Sequence, residues 1–443
     1  RSIRRQRQMC IRDRYLTLQG QDDNAGTDQF PHGFVTGNIT FDPTSTVRFI
    51  KSTRNNGAVA DGDQEISGTP VYGNLYFSGG DTKTALADIT MTGDLYIAAN
   101  TTLDDDGNTI TVNNDNGDDD TFTMETGASL LVGATTFPTN VVNGGFNAYA
   151  FDNTLGGESL VHYDRAGDQD IEGISGAGTN AYAQVRLGGT GTKTLKGAMD
   201  VNDLLTVDNN ITFLNNDGGT GYAITFDAGN GNSDWTMSGA GASYTAGSAS
   251  SINFSGTAHT LTHPAAITYR DLNISAPFSM TGEDVIVTNE LALNPGGVVT
   301  TGTNTLIITN NAEAAITAFS NTGFVFGNLR REINPALAAG VYDFPVGDGT
   351  ASTDYMRLSL TTALLNVTND QVNVAVRAIT EGVNPNETDA VFLAQEHVVN
   401  LSSHGGKFGN NLGTVVSEGV WSTTVDGYVS GSYGVRLYLE NIA

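Results

Sequence analysis

Apolar and polar residues alternate in short bursts along almost the whole chain. Asn74-Leu75-Tyr76-Phe77 and Asp94-Leu95-Tyr96-Ile97 are typical, with Gly, Asn, Asp and Thr separating one burst from the next. Alternation bounded by turn formers predicts short strands with one buried face. A 3.6-residue period is almost absent. The best helical stretch, 311–319 (NAEAAITAF), is short and reads equally well as a strand. The pattern predicts an all-β protein.

The bursts recur. A shift of 110 residues places Tyr72 on Tyr182, Thr82-Lys83-Thr84 on Thr192-Lys193-Thr194 and Leu95 on Leu205. Leu75, Phe77, Ile89, Met91, Leu95 and Ile97 land on Val185, Leu187, Met199, Val201, Leu205 and Val207, so apolar character is kept at each place. A third copy starts at Tyr269 and supplies Leu272, Ile274, Val285, Val287, Leu291 and Leu293, with one residue deleted. Upstream of the first two copies, Gly62-Asp63-Gln64-Glu65-Ile66-Ser67-Gly68 matches Gly167-Asp168-Gln169-Asp170-Ile171-Glu172-Gly173. The modules lie near residues 72–112, 182–226 and 269–308.

Within a module the same spacing returns. Leu75 to Leu95 is 20 residues and Ile89 to Ile110 is 21, while Leu272 to Leu291 is 19 and Val285 to Leu306 is 21. A chain that comes back to one face every 20 or so residues predicts a parallel β-solenoid, or β-helix, with each coil stacked on the last. The second copy loses register after Val207, where Ile224 and Phe226 arrive four residues late, and an insertion is expected to loop out there. An antiparallel sandwich or a propeller blade also supplies short regular strands, but accounts less well for the return.

Composition fits this picture. Of 443 residues 54 are Gly and only 10 Pro, and charged residues make up 16%. Coil corners need backbone conformations that Gly, Asn and Asp tolerate. The net charge of −27 argues against a nucleic-acid partner, since Lys and Arg supply most affinity for phosphate backbones. No apolar run is long enough to span a membrane as a helix.

Residues 1–14 stand apart, holding six Arg and the single Cys, Cys10. Without them 15 basic and 47 acidic side chains remain, a net charge of −32. A basic arm that grips nucleic acid or anionic lipid is one reading. The internal Met9, the abrupt change at Tyr15 and the lack of an apolar signal core favour another. Met9-Cys10-Ile11-Arg12-Asp13-Arg14 resembles a translated sequencing-library adaptor, so 1–14 are expected to be a non-native extension. The Cys-free body neither requires nor excludes an oxidising compartment.

Chemistry-bearing patterns are weak. Gly189-Thr190-Gly191-Thr192-Lys193-Thr194 looks like a phosphate loop, but Thr precedes the Lys and no helix follows. Its counterpart Asp81-Thr82-Lys83-Thr84 puts a carboxylate where an anion would approach, and both are expected to be turns between strands. No Gly-x-Ser-x-Gly elbow is present. Asp104-Asp105-Asp106-Gly107-Asn108 and Asp115-Asn116-Gly117-Asp118-Asp119-Asp120 are rich in oxygen ligands that suit Ca²⁺, but lack an EF-hand pattern and read as solvated turns. His32, His162, His259, His263, His397 and His404 are scattered. His259 and His263 are spaced to share a strand face, with no third ligand nearby. Trp235, Tyr244, Trp421 and Tyr428 are the aromatics suited to stacking on sugars, or equally to core and edge cover. No residue qualifies as catalytic, cofactor-binding or metal-ligating, and Ca²⁺ is the only cofactor the composition suggests.

At Gly323 the texture changes. Gly323-Phe324-Val325-Phe326-Gly327-Asn328-Leu329-Arg330-Arg331-Glu332-Ile333 and Gly340-Val341-Tyr342-Asp343-Phe344-Pro345-Val346-Gly347 open a region of longer strands, at 355–361, 371–379 and 433–441. The Tyr-x-Asn-Leu-x-Phe-Ser-Gly run at Tyr72, the Thr-Lys-Thr that follows it, Gly327 to Arg331 and Phe344 to Gly347 together resemble large exported surface repeat proteins of Bacteroidota that use type IX secretion. The resemblance covers about residues 40–443. It implies export and a structural role, and brings no catalytic set. The usual sorting domain is missing, so an open-ended fragment is expected.

The sequence therefore predicts a β-solenoid over 15–322 and a β-sandwich-like domain over 323–443. The expected function is that of an extracellular or cell-surface structural or adhesive repeat protein without catalysis. The alternative is a surface β-helix that binds or degrades polysaccharide, with polysaccharide or other surface components as partners.

Overall fold

The computed structural model describes residues 64–113, 120–140, 148–154, 156–176, 180–227, 234–334 and 340–367, with 9–11, 15–18, 39–50, 146, 372–379, 398–399, 420–426 and 428–438. Strands dominate, and the fold is all-β and parallel-β-helix-like. Glu313–Ala315 forms a single 3-10 turn and Ile316–Thr317 a short strand, so the ambiguous stretch at 311–319 is partly both. Among the described residues no helix is long and apolar enough to cross a membrane. Two compact units divide the chain: Arg1–Gly218 with Gly229–Ser243, and Gly219–Ala228 with Tyr244–Ala443.

In the first unit the coils between Asn74 and Asn140 each add one strand to each of three parallel sheets. One coil runs through Asn74–Phe77, Asp81–Ala85 and Ile89–Met91. The next runs through Leu95–Ile97, Thr101–Asp104 and Ile110–Val112. The predicted returns are the observed register: Leu75 pairs with Leu95, and Ile89 with Ile110. Leu75, Phe77, Ile89, Met91, Leu95 and Ile97 all point inward, none more than 1% exposed. Because side chains alternate, a slip of one residue would bring Tyr76, Tyr96 and the threonines into the core. Met9–Ile11, inside the segment read as foreign, pairs in parallel with Ile39–Phe41.

The insertion falls where the register breaks. Val185 pairs with Leu205, 20 residues on, but Leu205 pairs with Trp235, 30 residues on. Trp235 is buried beside Phe213, so it is a core residue and presents no face to a sugar.

Thr82-Lys83-Thr84 and Thr192-Lys193-Thr194 lie inside strands Asp81–Ala85 and Gly191–Leu195, and not in turns as expected. Both lysines are fully buried. The motif misleads because a buried Lys needs acceptors, and those of Lys193 come from residues distant in sequence. Lys193 Nζ donates to Gln169 Oε1 at 2.9 Å, to the Arg165 carbonyl at 2.8 Å and to the Gly167 carbonyl at 3.3 Å. Lys83 Nζ donates to the Gly80 carbonyl at 2.9 Å. In both modules the strand partner of the Lys is the Gln of the repeated Gly-Asp-Gln, Gln64 or Gln169. The two modules also share a tyrosine tie: Tyr72 donates to the Ser67 carbonyl at 2.7 Å, and Tyr182 to the equivalent Glu172 carbonyl at 3.0 Å. The glycines of the phosphate-loop look-alike serve close packing. Gly189 has φ +72°, and a Cβ there would sit 2.2 Å from the Arg165 carbonyl oxygen.

The second unit has a parallel stack of its own through Ala223–Asp227, Ser251–Ser255, Ile267–Ile274 and Val285–Leu293. Leu272 pairs with Leu291 and Val285 with Leu306, again as the spacing predicts. Phe226 and Phe254 stack inside, with ring centroids 4.8 Å apart. The third module replaces the buried polar pair: Met280 follows Tyr269 by the same interval as Lys83 follows Tyr72, and its strand partner is Leu261. Val325–Ile333 is parallel to Val299–Ile308 on one edge; on the other it pairs in parallel with Val341–Gly347 at Val325 and Phe326 and antiparallel with Val372–Ile379 from Leu329, and the later pairings are antiparallel. Val341–Gly347, Tyr355–Val367 and Tyr428–Tyr438 follow as antiparallel neighbours. The buried Arg331 joins the two halves of the C-terminal motif, donating to the carbonyls of Asp343 and Ala312, each at 2.8 Å, and of Glu313 at 3.0 Å.

The third module shows that this fold accepts an apolar pair where the first two use Lys and Gln. Lys193→Met alone strands Gln169 and two carbonyls without a donor and should cost about 2–3 kcal/mol. Adding Gln169→Leu gives the Leu–Met pairing of the third module; it removes the orphaned amide oxygen but also the Nε2 donor of the Val132 and Ala134 carbonyls, so the double variant should lose less than the two single losses added together. Urea unfolding of the two single variants and the double variant measures this coupling. Strictly additive losses would contradict it.

Candidate functional site

The residues nominated from sequence scatter. His259 and His263 do share a face, but it is the inner one: both are buried in strand His259–His263. His259 Nε2 lies 2.7 Å from the Ser255 carbonyl and His263 Nδ1 lies 2.7 Å from the Ala265 carbonyl. His162 is half-buried, and desolvation lowers its basicity. His32, His397 and His404 lie outside the described residues, as do 114–119, which hold most of the second acidic run. Trp421 and Tyr428 lie on strands whose side chains are outside the described set.

In the first acidic run Asp105 is buried and turned inward. Its Oδ1 accepts the backbone N–H of Gly107 at 2.9 Å, of Gly133 at 2.7 Å and of Ala134 at 3.1 Å. Asp104 Oδ1 accepts the N–H of Asp106 at 2.8 Å. The turn is thereby fastened to the next coil. Among the described residues no cluster of three or more His, Cys, Asp or Glu is placed to hold a metal.

On the outer face of the first unit, Arg48 lies over the rings of Tyr15 and Tyr76, at 4.4 and 5.0 Å, and Tyr76 stacks on Tyr96 at 4.7 Å. Tyr76 thus lies between the Arg48 guanidinium and the Tyr96 ring.

One opening in the second unit has a different character. A groove of about 540 Å³ is lined by Tyr244, Ser248, Thr268, Arg270, Thr288 and Asn289 among others. The sequence nominated Tyr244 and missed the rest. Tyr244 is half-buried, held by the buried Tyr269 at 5.6 Å. The other wall is built by a β-bulge. Tyr269 pairs with Val287 and Asp271 with Glu290, so Arg270 alone stands opposite both Thr288 and Asn289. A bulge re-aims side chains, and here it turns an Arg and an Asn toward one space. Asp271 holds both, accepting from the Arg270 guanidinium and from Asn289 Nδ2. The groove thus offers a ring, a charge already paired, an amide and several hydroxyls: groups that stack and exchange hydrogen bonds, and none that is placed as a nucleophile with its base.

Compared with known protein families, curated proteins and solved structures, the chain matches none of them.

Asp105 gives the clearest titration. Burial pushes its carboxyl up to about 6, against the pull of its backbone donors. The folded state therefore binds the proton more tightly than the unfolded chain does. This contribution to stability is full below about pH 4 and is lost as the pH rises through about 6, a loss of about 2–3 kcal/mol. Asp105→Asn keeps an acceptor and should flatten that part of a melting-temperature profile taken from pH 4 to 7. Asp105→Ala leaves three amides without an acceptor and should cost about 2–4 kcal/mol at pH 7. An unchanged profile in Asp105→Asn would contradict the assignment.

Proposed function

We propose that the chain is an exported structural and adhesive repeat protein of a cell surface, of the Bacteroidota kind that its motifs resemble, and that it performs no catalysis. The observation that supports this reading is the use made of its acidic and amide side chains. Asp94 Oδ1 accepts the N–H of Thr121 at 2.9 Å and Asp88 Oδ1 that of Thr109 at 2.8 Å. Asp168 Oδ1 accepts from Thr192 at 2.9 Å, Asp284 Oδ1 from Thr305 at 2.7 Å, and Asn74 Oδ1 from Asp94 at 2.8 Å. Each bond joins residues about one coil apart, so carboxylates that give the chain its charge are also ties between successive coils. A carboxylate that holds backbone donors is committed to architecture, whereas glycoside hydrolysis canonically draws on two carboxyl groups flanking one bond of an exposed sugar. Side chains spent this way fit a protein whose task is to be long, rigid and charged.

The reading predicts no turnover. The full chain, incubated with a panel of neutral and acidic polysaccharides, should release neither reducing ends nor unsaturated uronates above a buffer control, and surface labelling of producing cells should find it outside. Cleavage of any polymer, abolished by boiling the protein, would contradict it.

A further inference from the structure

The three modules share one irregularity and use it differently. In the first, Tyr72 bridges to Met91 and Leu75 pairs with Leu95, which sets Gly73 opposite Thr92 and Gly93. In the second, Tyr182 pairs with Val201 and Gln184 with Leu204, which sets Ala183 opposite Asn202 and Asp203. In the third, Arg270 stands opposite Thr288 and Asn289. The same bulge therefore carries Gly, Ala and Arg in turn. Two modules leave the position small, and the third fills it with the longest cation available and frames it with an aromatic ring.

In the first two modules the position is closely packed, since a Cβ on Gly73 would lie 2.3 Å from the Ser45 carbonyl oxygen and Ala183 is buried, and the bulge forms there with no side chain or one methyl. Arg270 is thus not required to form the bulge, and in the third module its side chain reaches the groove, paired with Asp271. We propose that the groove of Tyr244, Thr268, Arg270, Thr288 and Asn289 binds a neutral polysaccharide, one hexose ring lying on Tyr244 and adjacent hydroxyls meeting Arg270 and Asn289.

The chemistry selects a neutral sugar. Arg270 is the only charged residue lining the groove, and it is already paired with Asp271, so an incoming carboxylate or sulfate finds little uncompensated positive charge. The chain as a whole carries −27, which repels a polyanion. A planar guanidinium and an amide, both oriented by one carboxylate, instead present a fixed row of donors to hydroxyl oxygens. Tyr244 supplies the flat apolar surface that the C–H face of a hexose needs. Holding Tyr244 against Tyr269 and Arg270 against Asp271 in advance lowers the entropy lost on binding.

Native gel electrophoresis of the full chain through soluble glucan, mannan or galactan, and through polygalacturonate, tests this. Migration should be retarded by at least one neutral polymer, and 0.5 M NaCl should not relieve it. Arg270→Ala, a change that Ala183 shows the bulge accepts, and Tyr244→Ala should each weaken retardation at least fivefold with an unchanged melting temperature. Should either variant melt early, Asn289→Gly, which copies Gly93 of the first module, provides the same test. The proposal is overturned if no neutral polymer retards the chain, if the variants migrate as the parent does, or if retardation is confined to polygalacturonate and disappears in salt. Failure here leaves the scaffold reading standing, since that reading is tested separately by polymer cleavage and surface labelling.

Discussion

Parallel backbone pairing holds neighbouring coils about 4.8 Å apart, and this spacing decides what each inward position can contain. A residue facing the interior meets its counterpart one coil before and one coil after, with no room for water. Apolar side chains satisfy that condition by stacking on themselves, as Phe49 does on Phe77. A polar side chain satisfies it only if the neighbouring coil supplies its partners. Lys193 meets the condition through Gln169 and the carbonyls of Arg165 and Gly167, and Arg331 through three carbonyls. Both are held against desolvation, which pushes Lys193 down to about 8 and Arg331 down to about 10.

The same spacing explains the acidity of the chain. Corners leave backbone N–H groups that the strand ladders do not use, and a buried or half-buried donor without an acceptor is costly. Asp and Asn reach such donors across one coil, as Asp88, Asp94, Asp168 and Asp284 do. Charge thus enters the chain as a consequence of corner geometry, and the exposed remainder gives the surface its sign. Ligand contact needs something more than this, a place where one coil departs from the repeat. Arg270, in a bulge that holds Gly73 and Ala183 in the first two modules, is such a place.

The period was the most legible feature of the sequence, because an unbroken coil returns its apolar residues at nearly constant intervals. Leu75 with Leu95, Ile89 with Ile110, Leu272 with Leu291 and Val285 with Leu306 are register partners as their spacing predicts. What stayed hidden depends on contacts remote in sequence. Thr-Lys-Thr reads as a turn because Lys is ordinarily exposed, and its acceptors lie up to 28 residues away. Asp105 reads as a solvated ligand because its acidic neighbours suggest a surface loop, while Gly133 and Ala134, which bury it, belong to the next coil. The groove was half visible: Tyr244 stood out as an aromatic, but Arg270 becomes notable only when Gly73 and Ala183 are set beside it in the aligned modules.

The central claim is that one stack of parallel coils places outward residues in straight columns. Thr17, Arg48, Tyr76, Tyr96, Thr123 and Ala150 form such a column in the first unit, successive members being register partners. Nitroxide labels on cysteines introduced at Thr17 and Thr123, and at Thr17 and Ala150, in a Cys10→Ser background, measure it by dipolar electron resonance. The account predicts separations of about 19 and about 24 Å, one coil spacing apart, broadened by the label arms. Equal separations, or a shorter one for the Thr17 and Ala150 pair, would contradict a parallel coil stack.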